Sequence, residues 1–363
     1  MIEINSLIVI LIFGSLLSFT FLLIANPMKV NKRANFWFAI FLFFWSIFWF
    51  EEIFKLVGFQ PLSDAYLIPI RVFQFLTPII FYFSIEYYSN PDFKFRKKDS
   101  LYLVLPILFI FGLIVQKDNA IISTVLTVFI IIQALYFIIY SYFTIQHHKK
   151  RIRLFSSNTD EIDLKWVEYI IIALLVLCVF IATYNMLFRE ADLNLFANII
   201  ALIIIFFVGF NSLKQKEIFL LNENQRNLII TSEEQTTTKK KRKIIEDKYL
   251  ETLKLKLTEL MEEQKPYLDS ELTLVRLAEL MELTPHQLSY LINGSFNENF
   301  FWFVNRYRVQ RVKDLLSNKQ NDHMSILGIA FESGFNSKTS FNTAFKKISS
   351  QTPSEFKKSS SSL

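Results

Sequence analysis

Cysteine is almost missing from this chain: Cys178 stands alone among 363 residues. One thiol cannot build a disulfide framework or a cysteine zinc site. Glycine is scarce too, at seven residues, and neither GxGxxG nor GxxxxGK followed by Ser or Thr occurs. A glycine-built cradle for a nucleotide phosphate is therefore not expected. Four histidines (His147, His148, His286, His323) leave little for metal ligation or proton transfer. No nucleophile–base pair or metal cluster stands out, so neither an enzyme nor a cofactor is expected. Charged residues reach only 20%, against about 25% in an ordinary soluble domain.

Apolar and aromatic residues fill the gap. The chain is 52% hydrophobic and holds 40 Phe, with a mean hydropathy of +0.32. The excess lies before Phe210. A helix needs about 20 apolar residues to cross about 30 Å of hydrocarbon. Seven windows approach that length: Ser6–Ile24, Phe36–Phe54, Tyr66–Ile85, Leu101–Val115, Ala120–Phe143, Val167–Leu187 and Leu193–Phe210. The fourth is short and open to extension at its flanks. The first carries Glu3 rather than a basic cluster ahead of it, and Asn26-Pro27 is no small-residue cleavage site, so a cleaved signal peptide is not expected.

Charge orients these windows. The odd-numbered loops hold twelve basic residues: Lys29, Lys32, Arg33, Lys94, Arg96, Lys97, Lys98, Lys149, Lys150, Arg151, Arg153 and Lys165. The even-numbered loops hold three: Lys55, Lys117 and Arg189. Basic residues collect on the cytoplasmic side. The N-terminus is thus expected outside and the C-terminal region inside, and gaining or losing one span would break the alternation.

Polar groups inside such windows are functional candidates by default. Arg71, Gln74 and Glu86 fall in the third, and Glu51 and Glu52 at the outer end of the second. Arg71 lies near the outer boundary, where a long side chain also snorkels to water or pairs with Glu51 or Glu52. Arg71, Gln74, Glu51 and Glu52 are the candidate signal-sensing residues. Pro69 and Pro78 predict a kink in the third window. Trp37, Trp45 and Trp49 read as packing residues rather than a cofactor box.

Beyond Phe210 the composition turns polar. The expected domains are a membrane unit over 1–212, a linker over 213–243 and a globular unit over 244–363. The linker ends in five basic residues, Lys239–Lys243, suited to anionic lipid or DNA phosphate, or simply to a solvated tether. From Lys239 onward basic residues outnumber acidic ones by 20 to 15, and from Thr284 by 10 to 5. A basic balance suits a polyanionic partner.

The last unit has a legible helical grammar. Leu250, Leu253, Leu257, Leu260 and Met261 share one face of a helix. Thr273 caps a helix carrying Leu274, Leu277, Ala278 and Met281. After a short turn, Thr284-Pro285-His286-Gln287 forms a capping box with proline at the first helical position. Leu288, Leu291 and Ile292 face inward, and Asn293-Gly294 is expected to close the helix. A long helix over Phe300–Leu316 follows. The pattern then repeats: Ser325 caps Ile326, Ile329 and Ala330, Gly334 makes the turn, and Ser337 caps a helix with Phe341, Ala344 and Phe345 inward. Two helix-turn-helix units, about 273–294 and 325–347, joined by a rigid helix can enter successive major-groove turns about 34 Å apart.

These residues resemble the DNA-binding domain of the AraC/XylS transcription regulators. The resemblance runs from Leu272 to Lys358 through "LTLVRLAELMELTPHQLSYLIN", "NFFWFVNRYRVQRVKDLL" and "SILGIAFESGFNSKTSFNTAFKKISSQTPSEFKK". The upstream "LMEEQKPYLDSELTL" resembles the lead-in of membrane-bound members with a multi-span N-terminal region. By position, the resemblance implies DNA contacts from His286, Ser289 and Tyr290 in the first unit, and from Lys338, Thr339, Ser340 and Thr343 in the second. Asn342 shares the outer face of the second reading helix. Arg306, Lys346 and Lys347 are expected on phosphates. The family often has longer side chains at the reading positions, so the base sequence recognised is open. Glu282 stands at a turn position that is often glycine.

The expected fold class is all-α: a seven-helix transmembrane bundle, then a cytoplasmic helical domain with two helix-turn-helix units. The expected function is a membrane-tethered transcription regulator at the bacterial inner membrane. Its expected partners are double-stranded DNA, the lipid bilayer, a second copy of the chain, and an unidentified signal ligand or protein. Two alternatives stay open. One is a transporter or receptor with a secondary DNA domain. The other is a regulator released from its anchor by proteolysis.

Overall fold

A computed structural model describes residues 2–59, 64–90, 93–95, 97–116, 119–158, 164–173, 175–176, 194–215 and 247–360. Among them the architecture is all-α, with no strand and one isolated antiparallel bridge, Ser156 to Thr273. Two compact units form. One is Met1–His147 with Leu164–Ile218; the other is Phe219–Leu363 together with His148–Asp163.

The N-terminal unit contains α1 (Ile2–Ala25), α2 (Lys32–Ser46), α3 (Phe50–Leu56), α4 (Asp64–Ser89), α5 (Val104–Gln116), most of α6 (Ala120–Ile152) and α7 (Asn194–Lys214). Among the described residues, six helical stretches are long and apolar enough to cross a membrane. Five of the seven sequence windows coincide with the first five of these, and the last window with the sixth. The Val167–Leu187 window is helical over 165–173 and 175–176; its remainder lies outside the described residues, as do the linker beyond Gln215, the Lys239–Lys243 run and Cys178. The fourth stretch extends over Asp99–Gln116 through a 3₁₀ turn. Pro69 and Pro78 sit within α4 without ending it.

Helix α2 packs between α1 and α4, and α1 also packs on α7. Phe75 of α4 stacks on Phe109 of α5 with ring centroids 4.3 Å apart. Trp37 stacks on Tyr87 at 5.9 Å, which makes it a packing residue. The outward faces stay apolar: Phe21, Phe111, Ile121, Phe143 and Ile203 are all exposed. Such a surface suits hydrocarbon and not water.

The C-terminal unit comprises α8 (Asp247–Glu263), α9 (Leu274–Leu280), α10 (Pro285–Phe296), α11 (Phe300–Ser317), α12 (Ile326–Glu332), α13 (Lys338–Ser349) and α14 (Pro353–Ser360). Each expected N-cap is present. Thr273 Oγ accepts from Arg276 N–H, Ser325 Oγ from Gly328 N–H and Ser337 Oγ from Ser340 N–H. Thr284 and Gln287 complete a reciprocal capping box. Such caps contribute about 1 kcal/mol each. Helix α10 runs one turn past Asn293-Gly294, because Asn297 adopts the left-handed cap instead, at φ 55°.

Two apolar cores flank α11. The first gathers Leu257, Met261, Leu274, Leu277, Leu288, Leu291, Phe303 and Val304. The second gathers Val309, Val312, Ile329, Phe335, Phe341 and Phe345. So α11 is the shared spine, giving its first half to one helix-turn-helix unit and its second half to the other.

The two turns differ in chemistry. Gly334 takes φ +91°, and a Cβ there would lie 2.2 Å from the Tyr267 carbonyl oxygen. Glu282 takes the equivalent place in the first unit at φ 59° despite its side chain. That position carries strain of about 1 kcal/mol, and its exposed pairing with Lys256 at 3.8 Å offsets little of it. Glu282→Gly is therefore expected to stabilise the C-terminal unit by about 1 kcal/mol, read as slower amide exchange over 274–296. Gly334→Ala combines strain with overlap and should cost about 3 kcal/mol or more, read as faster exchange over 326–349 in the same assay.

Candidate nucleic-acid interface

The second unit presents one clean polar face. Phe341, Ala344 and Phe345 hold α13 against the core. This turns Lys338, Thr339, Asn342, Thr343, Lys346 and Lys347 outward, and all six are exposed. They form two i,i+4 rows on a single helix surface. Helix α13 carries three lysines and no acidic residue. Lys347 Nζ lies 4.1 Å above the Trp302 ring, which steadies it at the end of this face. Ser340 departs from the expected outer set. It is 7% exposed, because it stands four residues before Ala344 on the inner stripe.

The first reading helix is built differently. Helix α10 carries no Lys, Arg, Asp or Glu. His286 and Tyr290 are half-buried, and Tyr290 leans on the first core. Ser289 is 5% exposed, three residues before Ile292 on the inward stripe. Its hydroxyl lies 3.5 Å from the Asn293 amide nitrogen rather than facing a groove. Burial lowers the His286 imidazole below its usual value, so the ring is neutral at neutral pH. It offers one donor and one acceptor, not a cation for phosphate. Of the residues expected to meet bases, then, Ser289 and Ser340 point inward, and the other six keep accessible surface.

Arg306 is already engaged. Its Nε lies 3.1 Å from Glu298 Oε2, and its guanidinium lies over the Phe296, Phe303 and Tyr307 rings. A phosphate would have to displace that carboxylate. Among the described residues no ion pair holds Lys346 or Lys347, although Lys346 acts on the Glu355 carboxylate through space.

In the N-terminal unit, the four candidate sensing residues do not converge. Glu51 pairs with Lys55 at 2.9 Å. Arg71 is exposed on α4, and among the described residues no ion pair joins it to Glu51 or Glu52. Gln74 is half-buried one turn further on. Glu86 accepts from the Tyr82 hydroxyl at 2.7 Å and lies 3.4 Å from the Thr144 hydroxyl of α6. An apolar cleft of about 300 Å³ opens elsewhere, lined by Leu76, Phe83, Phe95, Asp99, Tyr102 and Pro106. None of the four candidates lines it.

One heavily bonded polar residue of the C-terminal unit is not marked by the sequence motifs. Arg308, on α11, is 1% exposed. Its Nε donates to the Tyr267 carbonyl and its Nη2 to the Asp269 carbonyl, both at 2.8 Å. Nη2 also donates to Ser157 Oγ at 3.0 Å and Nη1 to the Ser157 carbonyl at 3.3 Å. Burial lowers its pKa to about 10, against the opposing pull of Asp269 and Glu271, and the group stays charged. A signal was available: Val304, Arg308 and Val312 recur at the spacing of one buried helix face.

The paired units on a common spine define a helix-turn-helix domain. Residues 277–359 match the model of a helix-turn-helix domain family, and the domain is of the AraC type. This family binds DNA and regulates transcription; it is not an enzymatic one. The match lies within the C-terminal unit, from inside α9 into α14, and does not reach the N-terminal unit. No curated protein and no solved structure matches the chain.

The two faces make separable predictions for the intact chain on a bound duplex, read by fluorescence anisotropy. Lys346→Ala should weaken all sequences alike and reduce the slope of log affinity against log salt by about one. Asn342→Ala should cost about 1–3 kcal/mol on the preferred duplex and relax the preference at one base pair.

Proposed function

We propose that this protein is a membrane-tethered, sequence-specific transcription regulator of the bacterial inner membrane. Its N-terminus lies outside and its C-terminal unit in the cytoplasm. It couples a signal in the envelope or the membrane to gene expression. The observation that carries this reading is the exposed face of α13, cationic and free of acidic groups, in an AraC-type domain on the same chain as six apolar helices. In this reading, Lys338, Lys346 and Lys347 fix register on phosphates. Thr339, Asn342, Thr343, His286 and Tyr290 meet base edges or thymine methyls. The membrane domain spans 1–212, with a linker over 213–243. Partners are duplex DNA, the bilayer, a second copy of the chain, and a signal molecule. The basic bias of the odd-numbered loops supports the orientation.

The intact chain in lipid nanodiscs should retain a small subset of genomic duplexes. With Lys338, Lys346 and Lys347 of each of two copies on phosphates, affinity should fall about a thousandfold between about 50 and about 200 mM salt. Equal retention of every fragment overturns the regulator reading. A reporter active only in the cytoplasm, fused after Leu363, should be active; a silent fusion overturns the orientation.

A further inference from the structure

The segment between the fifth and sixth windows does not stay with the helices that flank it in sequence. From His148 onward it belongs to the C-terminal unit. Helix α6 is continuous from Ala120 to Ile152, so its last turn leads directly into that unit. Leu154 (3% exposed) and Phe155 (6%) are buried in the first helix-turn-helix core, beside residues more than a hundred positions later.

The backbone of this segment completes two helices. The first N–H groups of a helix have no partner within it. Leu274 N–H, which opens α9, donates to the Phe155 carbonyl at 2.9 Å. Phe301 N–H, in the first turn of α11, donates to the Arg153 carbonyl at 3.1 Å. Ser157 Oγ donates to the Leu272 carbonyl at 2.7 Å, and Ser157 N–H to the same oxygen at 3.4 Å. The Arg153 guanidinium lies 5.6 Å from the Phe301 ring centroid. The Ser157 carbonyl also takes Asn305 Nδ2 at 3.2 Å, alongside Arg308. Asn305 is fully buried. None of the exposed residues of α13 is covered by these contacts.

Arg308 carries the connection further. Besides Ser157, it holds the Tyr267 carbonyl, the atom against which Gly334 is packed. Its guanidinium also lies 5.8 Å from the Phe335 ring centroid. One side chain therefore joins the segment to the turn that sets α13. We propose that residues Arg153–Asn158 are a built-in ligand of the DNA-binding domain, seated by α6. Its docked state is the one that binds DNA, because it caps α9 and α11 and holds Arg308. Displacement of the end of α6 withdraws the segment and loosens the placement of α13. The proposal rests on the DNA-binding reading above and names the element that regulates it.

Ser156 and Thr273 form the non-hydrogen-bonded pair of the antiparallel bridge. Such pairs bring Cα atoms to about 4.5 Å, within disulfide range. The test uses the intact chain in nanodiscs with Cys178→Ser and the pair Ser156→Cys and Thr273→Cys. The single Thr273→Cys chain controls for loss of the helix cap. Mild oxidation should link the pair nearly completely and leave the duplex Kd within twofold of the control. In the unlinked chain, Phe155→Ala should raise Kd tenfold or more, and the crosslink should restore most of it. A pair that links no better than Ser156→Cys with Lys319→Cys overturns the docking. Phe155→Ala without effect on Kd, or a crosslink that abolishes DNA binding, overturns the coupling. A parent chain that binds no duplex overturns the DNA-binding reading itself, while the crosslink yield still reports the docking.

Discussion

The C-terminal unit depends on how one buried cation is satisfied. A guanidinium removed from water is tolerated only when its donors find acceptors. Arg308 meets that condition by drawing three stretches together: the Tyr267–Asp269 turn, Ser157, and, through packing, Gly334-Phe335. Four of its bonds go to backbone or hydroxyl oxygens rather than to a carboxylate. Its effect is to hold chain segments in register. Losing part of this set would leave an unpaired buried charge, a penalty of about 3–5 kcal/mol in comparable sites. The two helix-turn-helix cores form separate clusters, and their relative placement is set by α11, by this group, by Gly334 against the Tyr267 carbonyl and by the Asn336 amide donating to Glu271 at 3.1 Å.

Much of this fold was legible in the sequence because its signals are local. Thr273, Thr284, Ser325 and Ser337 each announce a helix start, and each proves to be a cap. The spine helix and the inward faces of α8, α9, α10, α12 and α13 follow from spacing alone. Two kinds of signal failed. The family resemblance implies contacts at Ser289 and Ser340, whereas their spacing from Ile292 and Ala344 puts both on the buried stripe, where small hydroxyls fit at little cost. The end of α10 was misplaced because Asn293-Gly294 looks like a stop, whereas Asn297 supplies the left-handed residue. The seat of Leu154 and Phe155 was invisible for another reason. Its partners lie more than a hundred residues away, and no local pattern encodes them. The hint was a pair of large apolar residues within a basic stretch, Arg151–Arg153 before and polar residues after.

The two reading helices divide the work unevenly. Helix α13 brings three lysines, while α10 brings none and offers neutral His286 and Tyr290. Charge-driven, sequence-blind attraction is then concentrated at one end of the domain. The other end contributes through shape and short hydrogen-bonding groups. In the proposed reading, phosphate contacts therefore come mainly from the second unit, while short hydrogen-bonding groups on both helices face the bases.

The antiparallel bridge between Ser156 and Thr273 bears on how portable this domain is. Chain passes into the C-terminal unit at two places, near His148 and again after Ile218. A protease cutting between 216 and 246 would free a fragment that leaves its capping segment behind, with two helix ends open and Arg308 short of the Ser157 acceptors. Grafting residues 247–360 onto a foreign sensor would produce the same defect. The helix-turn-helix domain and the segment that caps α9 and α11 form one compact unit, although more than fifty residues separate them along the chain.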